Sequence, residues 1–278
     1  PIVKLTIIKY YFFMIKIKFE PTKNNVGCFI FNDLKNISQD QINEIKKLLN
    51  KFGVIFFKNQ NLNPKEYVDF SSNFGVPAKY PMLKPHKDFK NIYVIERKKT
   101  DTGKSFGEGP HTDSSYLKSP PKFTFLQAVE VPNEGKGNTL FYNQFLAYEA
   151  LPEEIKQKIE NLKGIFSSQG KIAQTRELRM ADHGTSGTKE IKSEHKLVQS
   201  IDGRKTIYCS PGHVVGIVNL NSEQEKLISF LSSHQVKENF SYSFSWKKGD
   251  IALWSNRSML HAATAFNGDR KMFRITIQ

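Results

Sequence analysis

The chain has few cysteines, few acidic residues and no long uninterrupted apolar segment. Its two cysteines, Cys28 and Cys209, lie far apart and belong to no paired spacing. This pattern excludes a disulfide-dense framework and a zinc knuckle, and it is typical of a protein from a reducing compartment. We therefore predict a cytoplasmic location.

Acidic residues are outnumbered by basic ones. Asp and Glu total 27 against 41 Lys and Arg, so the formal net charge is +14 at pH 7. A charge of this size raises the question of a nucleic-acid or anionic partner. The lysines, however, are scattered over predicted helices and loops and form no basic block interleaved with aromatic residues. We predict no nucleic-acid partner, but some attraction for anionic small molecules.

The N-terminal segment is apolar only in patches. A membrane-spanning helix needs about 20 predominantly apolar residues, and this segment is interrupted at Lys4, Lys9, Lys16 and Lys18. No small-residue cleavage site follows it, so a signal peptide is not expected. The sequence predicts no membrane partner.

The chain begins with Pro rather than Met, and the first methionine is Met14. We interpret residues 1–13 as an upstream extension and residues 14–278 as a single domain. The apolar content of 38% over 278 residues is adequate for a substantial core.

Two helices are predicted in the first quarter of the chain. Ser38 is a typical N-cap, apolar residues follow it at helical spacing, and Gly53 ends the segment. Asn63–Pro64 begins a second helix, which Gly75 ends. The apolar segment Val54–Phe57 between them is predicted to be a buried strand.

Strands dominate the rest of the chain, with helices at few places, so the predicted fold is mainly β with helical additions, a jelly-roll barrel. Asp202–Gly203 is a strong hairpin signal, and the polar residues 167–196 are expected to be an insertion with a mobile loop. The predicted strands are Asn91–Ile95, Phe123–Val131, Asn138–Tyr142, Leu197–Ile201, Thr206–Tyr208, Val214–Leu220, Phe240–Trp246, Gly249–Trp254, Met259–Ala265 and Met272–Ile277. The predicted helices are Pro152–Leu162 and a segment capped by Asn221 that continues through Leu231.

A histidine and an aspartate two residues apart indicate a metal site. His111 and Asp113 precede a predicted strand, and in an extended segment both side chains would project from one face. Two ligands leave a divalent ion under-coordinated, and the best third candidate is His261, in an apolar, strand-like segment. Two histidines and one carboxylate form the facial triad of non-haem Fe(II) oxygenases. Taken separately, the first two would more often be a hydrogen-bonded pair and His261 a core histidine.

Several further motifs occur in a fixed order around these residues. They are His111-Thr-Asp113-Ser-Ser-Tyr, Pro120-Pro121, Gly137-Asn-Thr139-Leu-Phe, Ala147-Tyr-Glu-Ala-Leu151-Pro, Gly249-Asp-Ile-Ala-Leu-Trp-Ser-Asn-Arg257, His261 and Arg270-Lys-Met-Phe-Arg274. From about residue 25 onward the chain resembles the taurine/2,4-dichlorophenoxyacetate dioxygenase family. This resemblance implies a double-stranded β-helix and an Fe(II)- and 2-oxoglutarate-dependent dioxygenase that uses O2.

The resemblance also implies residue roles. His111, Asp113 and His261 match the iron ligands of the family. Thr139 and Arg270 match residues that bind the distal carboxylate of 2-oxoglutarate, a role suited to the planar guanidinium group.

Arg274 matches a second family arginine, which in some members faces an anionic group of the substrate. The interval from His261 to Arg270 is shorter than in the taurine enzyme, so the division of labour between Arg270 and Arg274 stays open.

The implied reaction is hydroxylation of a small anionic or zwitterionic metabolite, with succinate and CO2 as coproducts. Taurine itself is not expected, because Pro77–Pro81 lacks the histidine that helps to hold the sulfonate in the taurine enzyme. The family commonly forms dimers or tetramers, so the resemblance allows a homo-oligomer. Two alternatives remain open: a zinc-dependent hydrolase and a non-catalytic metabolite-binding barrel. His213 is a weaker candidate for the substrate pocket, and Trp246 and Trp254 are assigned to the core.

Overall fold

The computed structural model describes residues 17–80, 83–132, 135–175, 189–220 and 222–278. Over these residues the chain is mainly β with helical additions, as predicted. The strands are β1 (Phe19–Pro21), β2 (Cys28–Ile30), β3 (Val54–Phe57), β4 (Tyr93–Arg97), β5 (Phe123–Glu130), β6 (Thr139–Asn143), β7 (Lys163–Ser167), β8 (Lys192–Lys196), β9 (Val198–Ile201), β10 (Arg204–Ile207), β11 (Val214–Ile217), β12 (Ser241–Phe244), β13 (Ile251–Ser255), β14 (Met259–Ala263) and β15 (Arg270–Ile277). The helices are α1 (Gln39–Phe52), α2 (Pro64–Ser72), α3 (Gln144–Glu149), α4 (Glu153–Ile159) and α5 (Gln224–His234). No helix in these ranges is long and apolar enough to span a bilayer.

The strands pair mostly across long sequence distances. The main sheet has seven strands in the order β1-β2-β3-β13-β5-β15-β4, and a second sheet has the order β12-β6-β14. A three-stranded sheet β11-β7-β8 and the hairpin β9-β10 lie beyond them. β13 pairs with β3 on one side and β5 on the other, so segments far apart in sequence form the centre of the main sheet.

One face of the main sheet packs against α1 and α2. The Ser38 side chain accepts a hydrogen bond from the Gln41 backbone and the Gln41 side chain accepts one from the Ser38 backbone, so α1 begins with the predicted cap. The helix ends at Gly53, whose φ of +80° favours glycine. Apolar residues of α1 such as Ile45 and Leu49 belong to one buried cluster with residues of β3, β5, β13 and β15.

The opposite face of the main sheet meets the second sheet through aromatic side chains. Phe56 of β3 stacks on Phe244 of β12, with ring centroids 4.3 Å apart. Phe141 of β6 contacts Trp254 of β13 at 5.4 Å. These rings form a cluster that connects the two sheets.

A third apolar cluster contains buried residues of β7, β9, β10 and β11. It includes Leu227 and Leu231 of α5 and the thiol of Cys209. Cys28 lies in the cluster under α1 instead, and both cysteines are buried and unpaired. The structure therefore contains no disulfide between them, as the sequence predicts.

Local predictions are confirmed in some places and wrong in others. The Asp202–Gly203 hairpin is confirmed, with φ of +49° and +81° at the two turn residues. α2 ends at Ser72, not at Gly75, because the Asn73 side chain donates hydrogen bonds to the carbonyls of Asp69 and Phe70. α4 is shorter than the predicted helix Pro152–Leu162, and α3 was not predicted.

The segment 167–196 is not uniformly a polar insertion. Its last residues, Lys192–Lys196, form β8 and pair with β7, because alternate residues of this polar strand are half-buried. Residues 176–188 of this segment lie outside the described residues, and so does Asn221. The cap of α5 is Glu223, so the prediction of a helix beginning directly after Asn221 is wrong.

Candidate metal centre

The two candidate histidines are paired through their backbones. His111 N donates to His261 O at 3.0 Å, and His261 N donates to His111 O at 2.9 Å. His261 lies on β14, opposite Phe141 of β6. This antiparallel bridge brings together two imidazoles that are 150 residues apart in sequence (261 − 111).

Asp113 reaches the same place through a turn. The segment after His111 is not extended, because residues 113–116 form a turn and Ser114 has a φ of +49°. Asp113 Oδ1 lies 3.8 Å from His111 Nε2 and 3.5 Å from His261 Nε2. The three side chains therefore converge, with Asp113 placed by this turn rather than by strand alternation.

The two imidazoles lie buried beside the carboxylate. His111 Nδ1 lies 2.9 Å from the Gly109 carbonyl, which can only accept, so Nδ1 carries a hydrogen and Nε2 is the ring nitrogen nearest Asp113. Burial, with His111 and Arg274 nearby, lowers the pKa of His261 from 6.5 to about 3. His261 is therefore neutral at physiological pH and is suited to metal ligation.

Asp113 is held ionised inside the protein. Burial alone would raise the pKa of its carboxyl group, but Arg274, the two imidazoles and a hydrogen bond from Thr124 outweigh this effect and lower the pKa to about 2. Arg274 Nη2 lies 2.9 Å from Oδ1 in a buried ion pair. Thr124 Oγ1 donates to the other oxygen, Oδ2, at 2.6 Å.

This donor set fits a metal ion. One possible ligand atom from each of the three residues lies within 4.8 Å of the others, and the imidazole nitrogens lie 3.5 and 3.8 Å from Asp113 Oδ1. Two imidazoles and one carboxylate suit ferrous iron, whereas magnesium and calcium prefer oxygen ligands alone.

All six residues singled out in the sequence line one pocket. It has a volume of about 440 Å³, counting the part open to solvent. Arg270 and Arg274 enter it from the same face of β15, and Thr139 lines it from β6. The lining residues are Ile95, Phe106, Gly107, His111, Asp113, Leu126, Thr139, Trp254, His261, Ala263, Arg270, Met272 and Arg274.

Sequence reasoning missed three contributors to this site. Trp254 was assigned to the core, and it is buried, but it also lines the pocket with its ring 4.6 Å from that of His261. Tyr80 lies under Arg274, whose Cζ is 4.6 Å from the ring centroid. Thr124 contacts Asp113 from an apolar strand, where one inward hydroxyl was the available signal.

Trp246 and His213 occupy places near the site. Trp246 is buried, as expected, and its Nε1 donates to Thr139 Oγ1 at 3.0 Å. The His213 ring lies 6.3 Å from that of His111 and its Nδ1 is 3.2 Å from the Ser167 carbonyl. His213 is absent from the residues that line the pocket, so its assignment to the substrate pocket stays a prediction.

Comparison with known proteins gives consistent results over most of the chain. Residues 18–276 match the family model described as taurine catabolism dioxygenase TauD, TfdA family. Pentalenolactone F synthase of Streptomyces arenae is 25% identical over 258 residues, covering 86% of each chain. The alpha-ketoglutarate-dependent 2,4-dichlorophenoxyacetate dioxygenase of Cupriavidus pinatubonensis is 23% identical over 249 residues, covering 83% of this chain and 85% of that relative.

A solved structure is similar over nearly the whole chain. The crystal structure of a taurine dioxygenase from Burkholderia xenovorans matches with a TM-score of 0.78 at 26% identity, covering 94% of this chain and 90% of that one. The family match extends across both sheets and the His111, Asp113 and His261 group. The chain is therefore a member of the TauD/TfdA dioxygenase family.

Proposed function

We propose that this chain hydroxylates a small anionic or zwitterionic metabolite, with Fe(II), O2 and 2-oxoglutarate bound at the pocket between the two sheets. Its family membership makes it a 2-oxoglutarate-dependent dioxygenase that forms succinate and CO2. The observation that carries the proposal is the convergence of two imidazoles, one ionised carboxylate and two arginines in one pocket.

His111, Asp113 and His261 would hold the iron. When bound, Fe(II) supplies the activation of O2 that drives oxidative decarboxylation of 2-oxoglutarate and oxidation of the substrate. Three protein ligands would leave the ion able to bind the cosubstrate as well. The aromatic cluster behind the pocket keeps bulk water away from the reacting groups.

Thr139 and Arg270 would bind the distal carboxylate of 2-oxoglutarate. The Thr139 hydroxyl already accepts a hydrogen bond from Trp246 Nε1, so its own hydrogen remains available for a carboxylate oxygen. Arg270 can add a charge-assisted, two-pronged contact. This division assigns Arg270 to the cosubstrate, while Arg274 faces the region beside the metal ligands.

Arg274 would attract the anionic group of the primary substrate or the cosubstrate end nearest the iron. Its guanidinium contacts Asp113 and lies over Tyr80, so it is fixed within the pocket. The names of the similar proteins include a sulfonate and a carboxylate substrate. No histidine occurs in Pro77–Tyr80, so taurine is not the substrate we propose.

We propose further that the two facing sheets form a distorted double-stranded β-helix within one domain, residues 14–278. The order β12-β6-β14 opposite the central strands of the main sheet supports this arrangement. The family match over residues 18–276 supports the domain limits.

The test is anaerobic reconstitution with Fe(II) and 2-oxoglutarate. Wild-type protein should show the weak visible charge-transfer band of the iron–cosubstrate chelate. His111→Ala should abolish this band because a metal ligand is lost. Arg270→Ala should require a higher 2-oxoglutarate concentration to reach the wild-type band intensity. Absence of the band in fully metallated wild-type protein would contradict the proposal.

The substrate class needs a separate screen. Succinate formation should be stimulated by at least one carboxylate, sulfonate or amino acid, and the stimulation should decrease in Arg274→Met. Uncharged analogues of the same size serve as the control. If only uncharged compounds stimulated turnover, the anionic substrate class would be wrong.

A further inference from the structure

A chain of three buried hydrogen bonds ends on the Asp113 carboxylate. Trp254 Nε1 donates to Asn256 Oδ1 at 3.0 Å. Asn256 Nδ2 donates to Thr124 Oγ1 at 2.8 Å. Thr124 Oγ1 donates to Asp113 Oδ2 at 2.6 Å. All four side chains are at least 97% buried, so water does not compete for these bonds.

The direction of this chain follows from the chemistry of its first member. An indole N–H can only donate, so the Asn256 oxygen must face Trp254 and the Asn256 amide nitrogen must face Thr124. The Thr124 oxygen then accepts from Asn256, and its single hydrogen points to Asp113. Each donor therefore depends on the one before it.

This arrangement makes the two oxygens of Asp113 different. Oδ2 receives the Thr124 hydrogen. Oδ1 faces His111 and His261 at 3.8 and 3.5 Å and is contacted by Arg274. Displacement of the carboxylate from Thr124 would leave a buried hydroxyl without its acceptor, which is unfavourable.

Trp254 connects this series of hydrogen bonds to a second candidate metal ligand, His261. Its ring packs against His261 with centroids 4.6 Å apart and an interplanar angle of 51°. A single side chain of β13 therefore contacts one candidate ligand directly and orients another through two intermediates.

We propose that Trp254, Asn256 and Thr124 are positioning residues that fix Asp113 as a ligand through Oδ1 alone. This inference rests on the proposed function, because it concerns the metal that His111, Asp113 and His261 would hold. Groups that orient metal ligands in this way typically change metal affinity or activity by about 10–100-fold when they are removed.

Two substitutions break the chain by different means. Thr124→Val removes the hydroxyl and keeps the side-chain shape. Asn256→Asp keeps the acceptor for Trp254 but replaces the donor to Thr124 with a second acceptor, which draws the Thr124 hydrogen away from Asp113. Thr124→Ser is the conservative variant that restores the hydroxyl.

Thr276 offers a matched control. It is a buried threonine directly opposite Thr124 in the β5–β15 pair, and it belongs neither to the chain of hydrogen bonds nor to the pocket lining. Thr276→Val therefore removes an equivalent hydroxyl from the same sheet without touching Asp113.

The measurement is titration of metal-free protein with Co(II), followed by calorimetry and by the visible absorption of the bound ion. Thr124→Val and Asn256→Asp should bind Co(II) about 10–100-fold more weakly and show an altered visible spectrum. Thr276→Val should match the wild type, and Thr124→Ser should recover most of the affinity. Thermal melting of each metal-free variant checks its folding.

The outcomes separate this inference from the proposed function. If His111→Ala bound Co(II) as the wild type does, the proposed metal site itself would be wrong. If His111→Ala lost binding while Thr124→Val and Asn256→Asp kept wild-type affinity and spectrum, only the positioning role would be overturned. Failure of both Thr124→Val and Asn256→Asp to fold would also overturn the positioning role. The hydrogen bonds would then be needed for the fold rather than for orienting the ligand.

Discussion

Alternate side chains of β15 lie in two different environments. Phe273, Ile275 and Ile277 belong to the apolar cluster under α1 and α2. Arg270 and Arg274, from the same strand, enter the pocket between the sheets. The period of two in a strand thus separates residues that stabilise the fold from residues that bind ligands, within a segment of eight residues.

The apolar side chains under the helices and the charged side chains of the pocket contribute to stability with opposite signs. Burial of apolar surface on the helix-covered face is favourable, at roughly 25 cal/mol per Å². Burial of Asp113 and Arg274 on the other face removes two charges from water, and their mutual attraction offsets this only in part. The helix-covered face therefore stabilises a fold that can contain a charged pocket.

The largest expected effect is on the helix-covered face. Ile275→Ala should lower the free energy of unfolding by about 2–5 kcal/mol, because a fully buried side chain leaves a cavity. Denaturant unfolding measures this change, and the KM for 2-oxoglutarate should stay at the wild-type value. Ile275→Val is the control, with about 0.5–1.5 kcal/mol expected. A large rise in KM would show that the two faces are not separable.

Substitution of Arg270 tests the pocket face. Arg270→Leu should raise the KM for 2-oxoglutarate by about 10–100-fold, because a hydrogen bond to a charged group contributes about 1.5–3 kcal/mol. Its unfolding free energy should change less than that of Ile275→Ala, since the substitution places an apolar group in a buried position. Arg270→Lys keeps the charge but lacks the planar fork, so its KM for 2-oxoglutarate should lie between those of the wild type and Arg270→Leu. An unchanged KM in both variants would assign the cosubstrate to another residue.

The two faces also differ in their response to pH. His261 has a pKa of about 3 in the folded protein against 6.5 when exposed, so between these values the unfolded chain binds more protons and stability rises with pH. Metal-free protein should lose about 2 kcal/mol of stability from pH 7.5 to pH 5. The depressed pKa of Asp113 stabilises the folded protein above about pH 4, and this stabilisation is lost only as the pH falls below that value.

Denaturant unfolding at several pH values measures this slope. His261→Gln should flatten it, because the titrating group is removed, whereas Ile275→Ala should keep it at lower overall stability. An equal slope in wild type and His261→Gln would assign the pH dependence to other groups.

The smallest effect is expected from the cap of α1, which is remote from the pocket. Ser38→Ala should lower the free energy of unfolding by about 1 kcal/mol, because the first turn of α1 loses its side-chain acceptor. Thermal melting measures this change. Cosubstrate affinity should not change, and a change would show that the helix layer transmits strain through the sheet. Ser38→Asp retains a capping oxygen and is the control.

Helix ends and tight turns could be predicted from the sequence, because a few neighbouring residues decide these structures. Ser38 and Gly53 define the ends of α1, and Asp202–Gly203 defines a hairpin, because caps and tight turns depend on residues within one turn. The pairing of β13 with β3 and β5 could not be predicted in the same way. Apolar periodicity indicates which face of a strand is buried, but not which distant strand lies beside it.

The same limit applies to the pocket. The side chains at His111, Asp113 and His261 were selected by residue type and order, and the structure brings them together. The sequence did not indicate the backbone geometry at Asp113, where a turn with Ser114 at positive φ is found. Tyr80 and Thr124 were missed because their importance arises only from what lies opposite them.

The backbone pairing of His111 with His261 bears on how the enzyme takes up its metal ion. The two hydrogen bonds between these residues are made by main-chain atoms, so they hold the imidazoles side by side before any ion arrives. Unlike a zinc finger, whose folding requires its metal, this protein should exchange iron while it stays folded. An enzyme molecule that has lost its iron should therefore bind a new ion in its folded state, without unfolding or new synthesis.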